Sequence, residues 1–183
     1  GQPGDWWRTS KSVSGGVLYD WGVHLLEYSL QLLHPAEIAE VTGFAAHGHW
    51  APKTTWKKDT NEDEGFAVVR FADGRWLTLT ITTIDSKPKT DRGQLEITGT
   101  EGTYIFAGGT YEVTKHRKNG AVVVENGSNP ASEGWRFYQN IADHLVKGET
   151  LVITPEWSRR PIHILDLADK SAKQNKTLKA KYK

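Results

Sequence analysis

The chain has 183 residues, no cysteine and no methionine, and its 23 Lys and Arg against 22 Asp and Glu leave a net charge of +1. Zero cysteine excludes disulfide scaffolds, thiolate metal sites and a cysteine nucleophile, and near-neutrality gives no global field to recruit nucleic acid. There is no run of 18 apolar residues to span a membrane, and the length suits a single domain, 1–183, that buries a core unaided.

Residues 1–16 read as an irregular entry carrying Trp6-Trp7-Arg8 and Ser14-Gly15-Gly16. Residues 17–33 read as a largely buried helix, with Leu18, Trp21, Leu25, Leu26, Leu32 and Leu33 around most of its girth. His34-Pro35 ends it, because the residue before proline is pushed out of the helical region. Strands are expected over 37–50, 64–72, 75–84, 93–99, 102–107, 109–116 and 120–125, with turns at Asp73-Gly74, Gly108-Gly109 and Asn119-Gly120. In Trp76–Thr82 the alternation sets Leu77, Leu79 and Ile81 on one face and Trp76, Thr78, Thr80 and Thr82 on the other. Ser132 is positioned to cap a helix to about Lys147, and Thr154-Pro155-Glu156 starts another to about Lys173, which Pro161 should kink. One helix, many hairpin-linked strands and two further helices describe an α+β fold: an open, mainly antiparallel sheet of at least five strands with helices on its apolar face. Residues 170–183 hold six lysines and no acid, which suits a solvated helix end.

One constellation carries chemistry. Asp20, His24 and Glu27 fall within about 60° on one face of the first helix. A polar stripe on an apolar helix must meet water, a partner or a ligand. Gly22, between Asp20 and His24, costs about 1 kcal/mol of helix stability, which makes sense if something packs close to the backbone. An Asp one turn from a His can hold its orientation, the equipment of a general acid–base group; the same pair serves equally as a pin to a neighbouring loop. His47-Gly48-His49 offers two ligands for a metal but no third at an obvious spacing. Trp6, Trp7, Trp50, Trp56, Trp76 and Trp135 suit core, interface or sugar rings. There is no Gly-x-Gly, P-loop or Gly-x-Ser-x-Gly elbow.

Trp7-Arg8 followed by Gly15-Gly16-Val17-Leu18-Tyr19-Asp20-Trp21-Gly22-Val23-His24-Leu25-Leu26-Glu27 resembles the Gly-Gly…Asp-x-Gly-x-His-x-x-Asp segment of the Gfo/Idh/MocA oxidoreductases. The segment 93–103 is similar to that family's strand–Gly-Thr-x-Gly–strand element, and Arg159–Asp166 to its C-terminal helix. The resemblance implies the C-terminal half of a two-domain, NAD- or NADP-dependent enzyme acting on a sugar or polyol. The N-terminal Rossmann domain would hold the cofactor, and this chain alone would bind none. By position, His24 matches the residue that moves the hydroxyl proton, and Asp20 the one that lines the substrate and supports catalysis. Arg8, Trp21 and Glu27 complete the expected substrate-binding set, with Glu27 standing where the family has Asp. The resemblance further implies a homo-oligomer formed through the open sheet face; charge and composition give no nucleic acid or membrane partner, and the cytoplasm is the expected compartment. Gly1 in place of an initiator Met fits one domain of a longer product, inactive alone. The competing expectation is a non-catalytic carbohydrate-binding or scaffold module with the same fold.

Overall fold

A computed structural model describes residues 4–84 and 95–182, and these residues divide into two compact units. The first unit takes residues up to 86 together with those from 155 onward. It holds a helical turn α1 (Lys11–Ser14), the helix α2 (Val17–Leu33), strands β1 (Ile38–Ala46), β2 (Glu64–Phe71) and β3 (Trp76–Thr82), and, from the C-terminal part, the helix α4 (Pro155–Gln174) and the short strand β8 (Leu178–Lys179). The four strands form one antiparallel sheet in the order β3-β2-β1-β8. Val41 lies opposite Val69, Ala67 opposite Leu79, and Leu178 opposite Val41.

Both long helices lie on one face of this sheet. Leu26 and Leu30 of α2 and Ile164, Leu165 and Ala168 of α4 are fully buried with Val41, Ala67 and Val69. Each buried Leu, Ile or Val stabilises by about 1.5–3 kcal/mol relative to exposure. The alternation in β3 faces as expected: Leu77, Leu79 and Ile81 turn to the core, while Trp76, Thr78 and Thr80 are exposed. Close approach has its own residues. A Cβ on Gly22 would sit 3.0 Å from both Leu79 and Leu165, which accounts for the glycine inside α2. A Cβ on Gly43 would collide with the Ala168 backbone, so α4 lies directly on β1 there. Ser171 fastens that crossing, accepting from Gly43 N–H at 2.8 Å and donating to the Lys176 carbonyl at 2.6 Å.

The second unit spans 87–154 and contains β4 (Leu95–Gly99), β5 (Gly102–Ala107), β6 (Thr110–His116), β7 (Val122–Ser128) and α3 (Trp135–Lys147). Its strands form an antiparallel meander in sequence order. Gly108 and Gly120 take the left-handed conformations that the tight turns require. The strands expected in a single sheet are therefore shared, among the described residues, between two sheets of four. Hairpin signals specify which strands are neighbours, not which hairpins join one sheet. The α3 helix starts later than expected, with Gly134 at its cap position; Ser132 accepts a hydrogen bond from Gly134 N–H at 3.3 Å instead of capping the helix. The α4 helix is continuous through Pro161, which is buried. Positions 93 and 94 of the expected fourth strand lie outside the described residues. No helix among the described residues is long and apolar enough to cross a membrane.

Candidate functional site

The start of α2 is built by charge. Val17 N–H donates to the Glu62 carboxylate at 3.0 Å, satisfying one of the amides a helix leaves unpaired and placing an anion at the positive end of its dipole. Lys11 grips the same carboxylate and also bonds Asp169 of α4 at 2.8 Å. Gly16 has φ +125°, and a Cβ there would be within 2.9 Å of a Glu62 oxygen. The second glycine of the Gly-Gly pair is thus required by both its backbone and the ion pair that passes over it. Burial works to lower the Lys11 ammonium, but hydrogen bonds and charge from Asp169 and Glu62 outweigh it and raise its pKa. For Asp169, burial works to raise the carboxyl; the bonds from Lys11 and Lys173 overcome it and lower the pKa. Burial, helped by the charges of Asp166 and Asp169, pushes the Tyr19 hydroxyl up to about 12. None of Lys11, Glu62 or Asp169 stood out in the sequence. The only signal was Gly-Gly, which announces a close approach without naming what approaches.

The entry segment is fixed to the loop that follows β1. Asn61 N–H donates to the Thr9 carbonyl at 2.9 Å, and its side-chain amide donates to the Arg8 carbonyl at 2.6 Å. Ser10 and Ser12 both bond the Asp59 carboxylate. The Arg8 guanidinium, so positioned, forms an ion pair with Asp20 in the first turn of α2. It also lies 4.5 Å from the Trp7 ring centre and 5.4 Å from that of Trp6.

The structure thus brings Arg8 and Asp20 together, with the Asp20 side chain 21% exposed. His24 is exposed one turn further along α2, its ring centre 6.0 Å from that of the exposed Trp21. Asp20 spends its carboxylate on Arg8; among the described residues no hydrogen bond joins it to His24. Glu27 is half-buried and turned towards α4, where it accepts from the Trp157 indole N–H, and it accepts from Gln31 at 3.0 Å. This ties two helices together rather than adding a free carboxylate to the Asp20–His24 surface. His49 lies 3.1 Å from the Lys53 ammonium and edge-on to Trp50, and no group of three or more His, Cys, Asp or Glu able to hold a metal ion comes together among the described residues.

A dinucleotide needs free helix-start amides for its phosphates. At α2, the long helix that carries Asp20 and His24, that position is taken by the Glu62 carboxylate, so this helix start does not fit a pyrophosphate. What the surface offers is a hydrogen-bonding ion pair, an exposed imidazole and flanking indoles.

Similar folds occur in larger proteins. An NAD-binding protein from Listeria innocua matches 98% of this chain at 24% identity with a TM-score of 0.76, the match covering 52% of that protein. Levoglucosan dehydrogenase in complex with NADH and levoglucosan matches 98% of the chain at 17% identity with a TM-score of 0.77, over 55% of its own length. The chain thus spans about half the length of these structures, which share its fold. A search of curated proteins gives no match. Residues 1–105, more than half of the sequence, match the family described as the GFO/IDH/MocA C-terminal domain, and the chain belongs to that family.

Proposed function

We propose that this chain is the substrate-binding part of an NAD(P)-dependent oxidoreductase that acts on a sugar or polyol hydroxyl, with His24 taking the hydroxyl proton. The observation that carries the reading is the surface of α2, where His24 stands exposed one turn from an Asp20 held by Arg8. Family membership and the likeness to a dehydrogenase bound to NADH and levoglucosan support it. The nicotinamide, carried by another domain of the parent protein, supplies hydride acceptance when bound. Removing hydride from a carbinol carbon yields a carbonyl only if the hydroxyl proton also leaves, and an imidazole within hydrogen-bond reach is suited to receive it. Asp20 and Arg8 accept from and donate to the neighbouring hydroxyls and orient the ring or chain. Trp21 borders the same surface. Glu27 acts at one remove, holding the α2 backbone against α4.

The partners that follow from this reading are a Rossmann domain of the same protein and a second copy of the chain. The open face of the first sheet suits the latter: Phe44 and Phe66 form a cross-strand pair with ring centres 5.9 Å apart, and Trp76 is 67% exposed. The deciding experiment is His24→Ala in the parent enzyme. We expect kcat to fall roughly 10²–10⁴-fold, the range for losing a positioned acid–base group, with cofactor affinity unchanged. An unchanged kcat on the true substrate would overturn the assignment and leave Asp20 and Arg8 as a pin for the helix.

A further inference from the structure

The last residues of the chain return to the first sheet, and one titratable group holds their end. The β8 strand pairs with the edge of β1, Lys179 opposite Glu40 and Leu178 opposite Val41. Just before it, Ser171 donates to the Lys176 carbonyl at 2.6 Å, and the Thr42 and Thr177 hydroxyls meet at 2.7 Å. Just after it, Ala180 N–H donates to the Ala39 carbonyl at 2.8 Å. None of these attachments titrates near neutrality. The next one does: Lys181 N–H donates to Nε2 of His163 at 3.1 Å. His163 belongs to α4 and is 7% exposed. Its ring also meets Tyr182 edge-on, with centres 4.9 Å apart, and the Arg159 guanidinium lies over that tyrosine ring at 4.0 Å.

A backbone N–H only donates, so Nε2 must keep its lone pair and the imidazole must be neutral, with its proton on Nδ1. A second proton, on Nε2, would set donor against donor. It would also place a new cation among like charges. Arg159 and Lys170 of α4 and Lys181 of the returning segment act on the ring as cations, with Asp166 of α4 as the opposing anion. Burial pushes the imidazole below its ordinary value; Asp166 works the other way, and Arg159, Lys170 and Lys181 add to the lowering. On β1, Glu40 is already paired with Arg70 at 3.5 Å. The returning segment itself carries Lys176, Lys179 and Lys181 and no acid.

We propose that His163 is an acid-released latch: its protonation detaches the segment from Leu178 to Tyr182 and uncovers the edge of β1, while the rest of the first unit stays folded. The holds at Lys176 and Thr177 do not titrate in this range, so release stops there. An uncovered edge strand presents unpaired N–H and C=O groups, and acid therefore opens a strand-pairing surface that is closed at neutral pH. The sign follows from burial. The folded pKa lies below that of the released segment, so the latch is complete above the ordinary histidine value of about 6.5 and is lost as pH falls through the folded value. Between the two values the open fraction rises about tenfold per pH unit. The latch is independent of the oxidoreductase reading.

The test is hydrogen exchange on the whole chain between about pH 7.5 and 4.5, read as protection factors, which remove the intrinsic effect of pH on exchange. The His163 ring is titrated by NMR over the same range. We expect protection at Ala180 and Lys181 to fall in step with the ring, by about tenfold per pH unit within the window, while Val69 and Leu26 keep theirs. His163→Gln, whose Oε1 accepts without titrating, should hold the segment across the whole range. His163→Phe, which accepts nothing, should show the released state already at neutral pH. Loss of protection that persists unchanged in His163→Gln would overturn the latch, as would a ring that titrates while Ala180 and Lys181 stay protected. Loss at Val69 and Leu26 together with the segment would also overturn it, making His163 a support of the whole unit. The unaltered chain and His163→Gln decide the matter even where His163→Phe does not fold.

Discussion

The two units reach order by different means. The first buries fifteen apolar side chains between two helices and a sheet, four of them leucines or isoleucines with no exposure at all: Leu26, Leu30, Ile164 and Leu165. In the second, no described residue between 95 and 154 is buried. Its sheet is held by ladder hydrogen bonds and by half-buried diagonal contacts between strands, such as Tyr104 of β5 with Tyr111 of β6, whose rings stack with centres 6.2 Å apart. One unit is stabilised by what it hides, the other by what it pairs. The residues we propose for the site all belong to the first unit, which is where the proposed proton transfer would find the steadier backbone.

The contrast can be broken at several points. The largest effect is expected from Leu26→Ala, which opens a cavity in the first core at a cost of about 2–5 kcal/mol. Amide exchange at β1 and β2 reads it directly, and a loss under about 1 kcal/mol there would mean that the core is not the source of order. A smaller loss follows from acid. Burial works against the Asp169 charge, but its bonds from Lys11 and Lys173 keep the pKa lowered. Because the folded value lies below the unfolded one, the stabilisation is fully present above about pH 4 and disappears as pH falls through the folded pKa. Thermal melts between pH 6 and 2.5 should show this descent, and Asp169→Asn should flatten it; an unaltered slope would remove the Lys11 clamp from the account. The smallest effect belongs to the second unit. Tyr111→Ala should cost about 0.5–1.5 kcal/mol, the worth of a stacked aromatic pair, read at β5 and β6 amides. A cost like that of Leu26→Ala would show that the pair is buried in solution and would erase the contrast.

What the sequence disclosed follows the same division of range. The α2 helix appears over the predicted 17–33 because leucine spacing and Pro35 are local facts. The facing of β3 follows from strict alternation, and Gly22 announced a close neighbour that proves to be Leu79 and Leu165. The GFO/IDH/MocA motif was legible as a string. The partners of its residues were not. Arg8 takes Asp20 across an entry turn, Lys11 finds Glu62 and Asp169 far along the chain, and Glu27 meets Trp157. Each pairing exists only after the helices dock, and no periodicity encodes it. The division of the strands between two sheets escaped for a related reason, since a hairpin looks the same whichever sheet it joins.

The first unit is also discontinuous. Its sheet begins with residues before 86 and is completed by α4 and β8 after 155, with about 70 residues of the second unit lying between. During synthesis at 5–20 residues per second, roughly 4–14 s separate the two contributions. Through that interval the nascent β1–β3 sheet has neither its α4 cover nor its β8 edge, and the apolar faces of β1 and β2 stand open to whatever the cell places beside them. We expect changes that slow translation through the meander to lower the yield of folded chains, measured as soluble protein per chain made, without touching the stability of the finished fold.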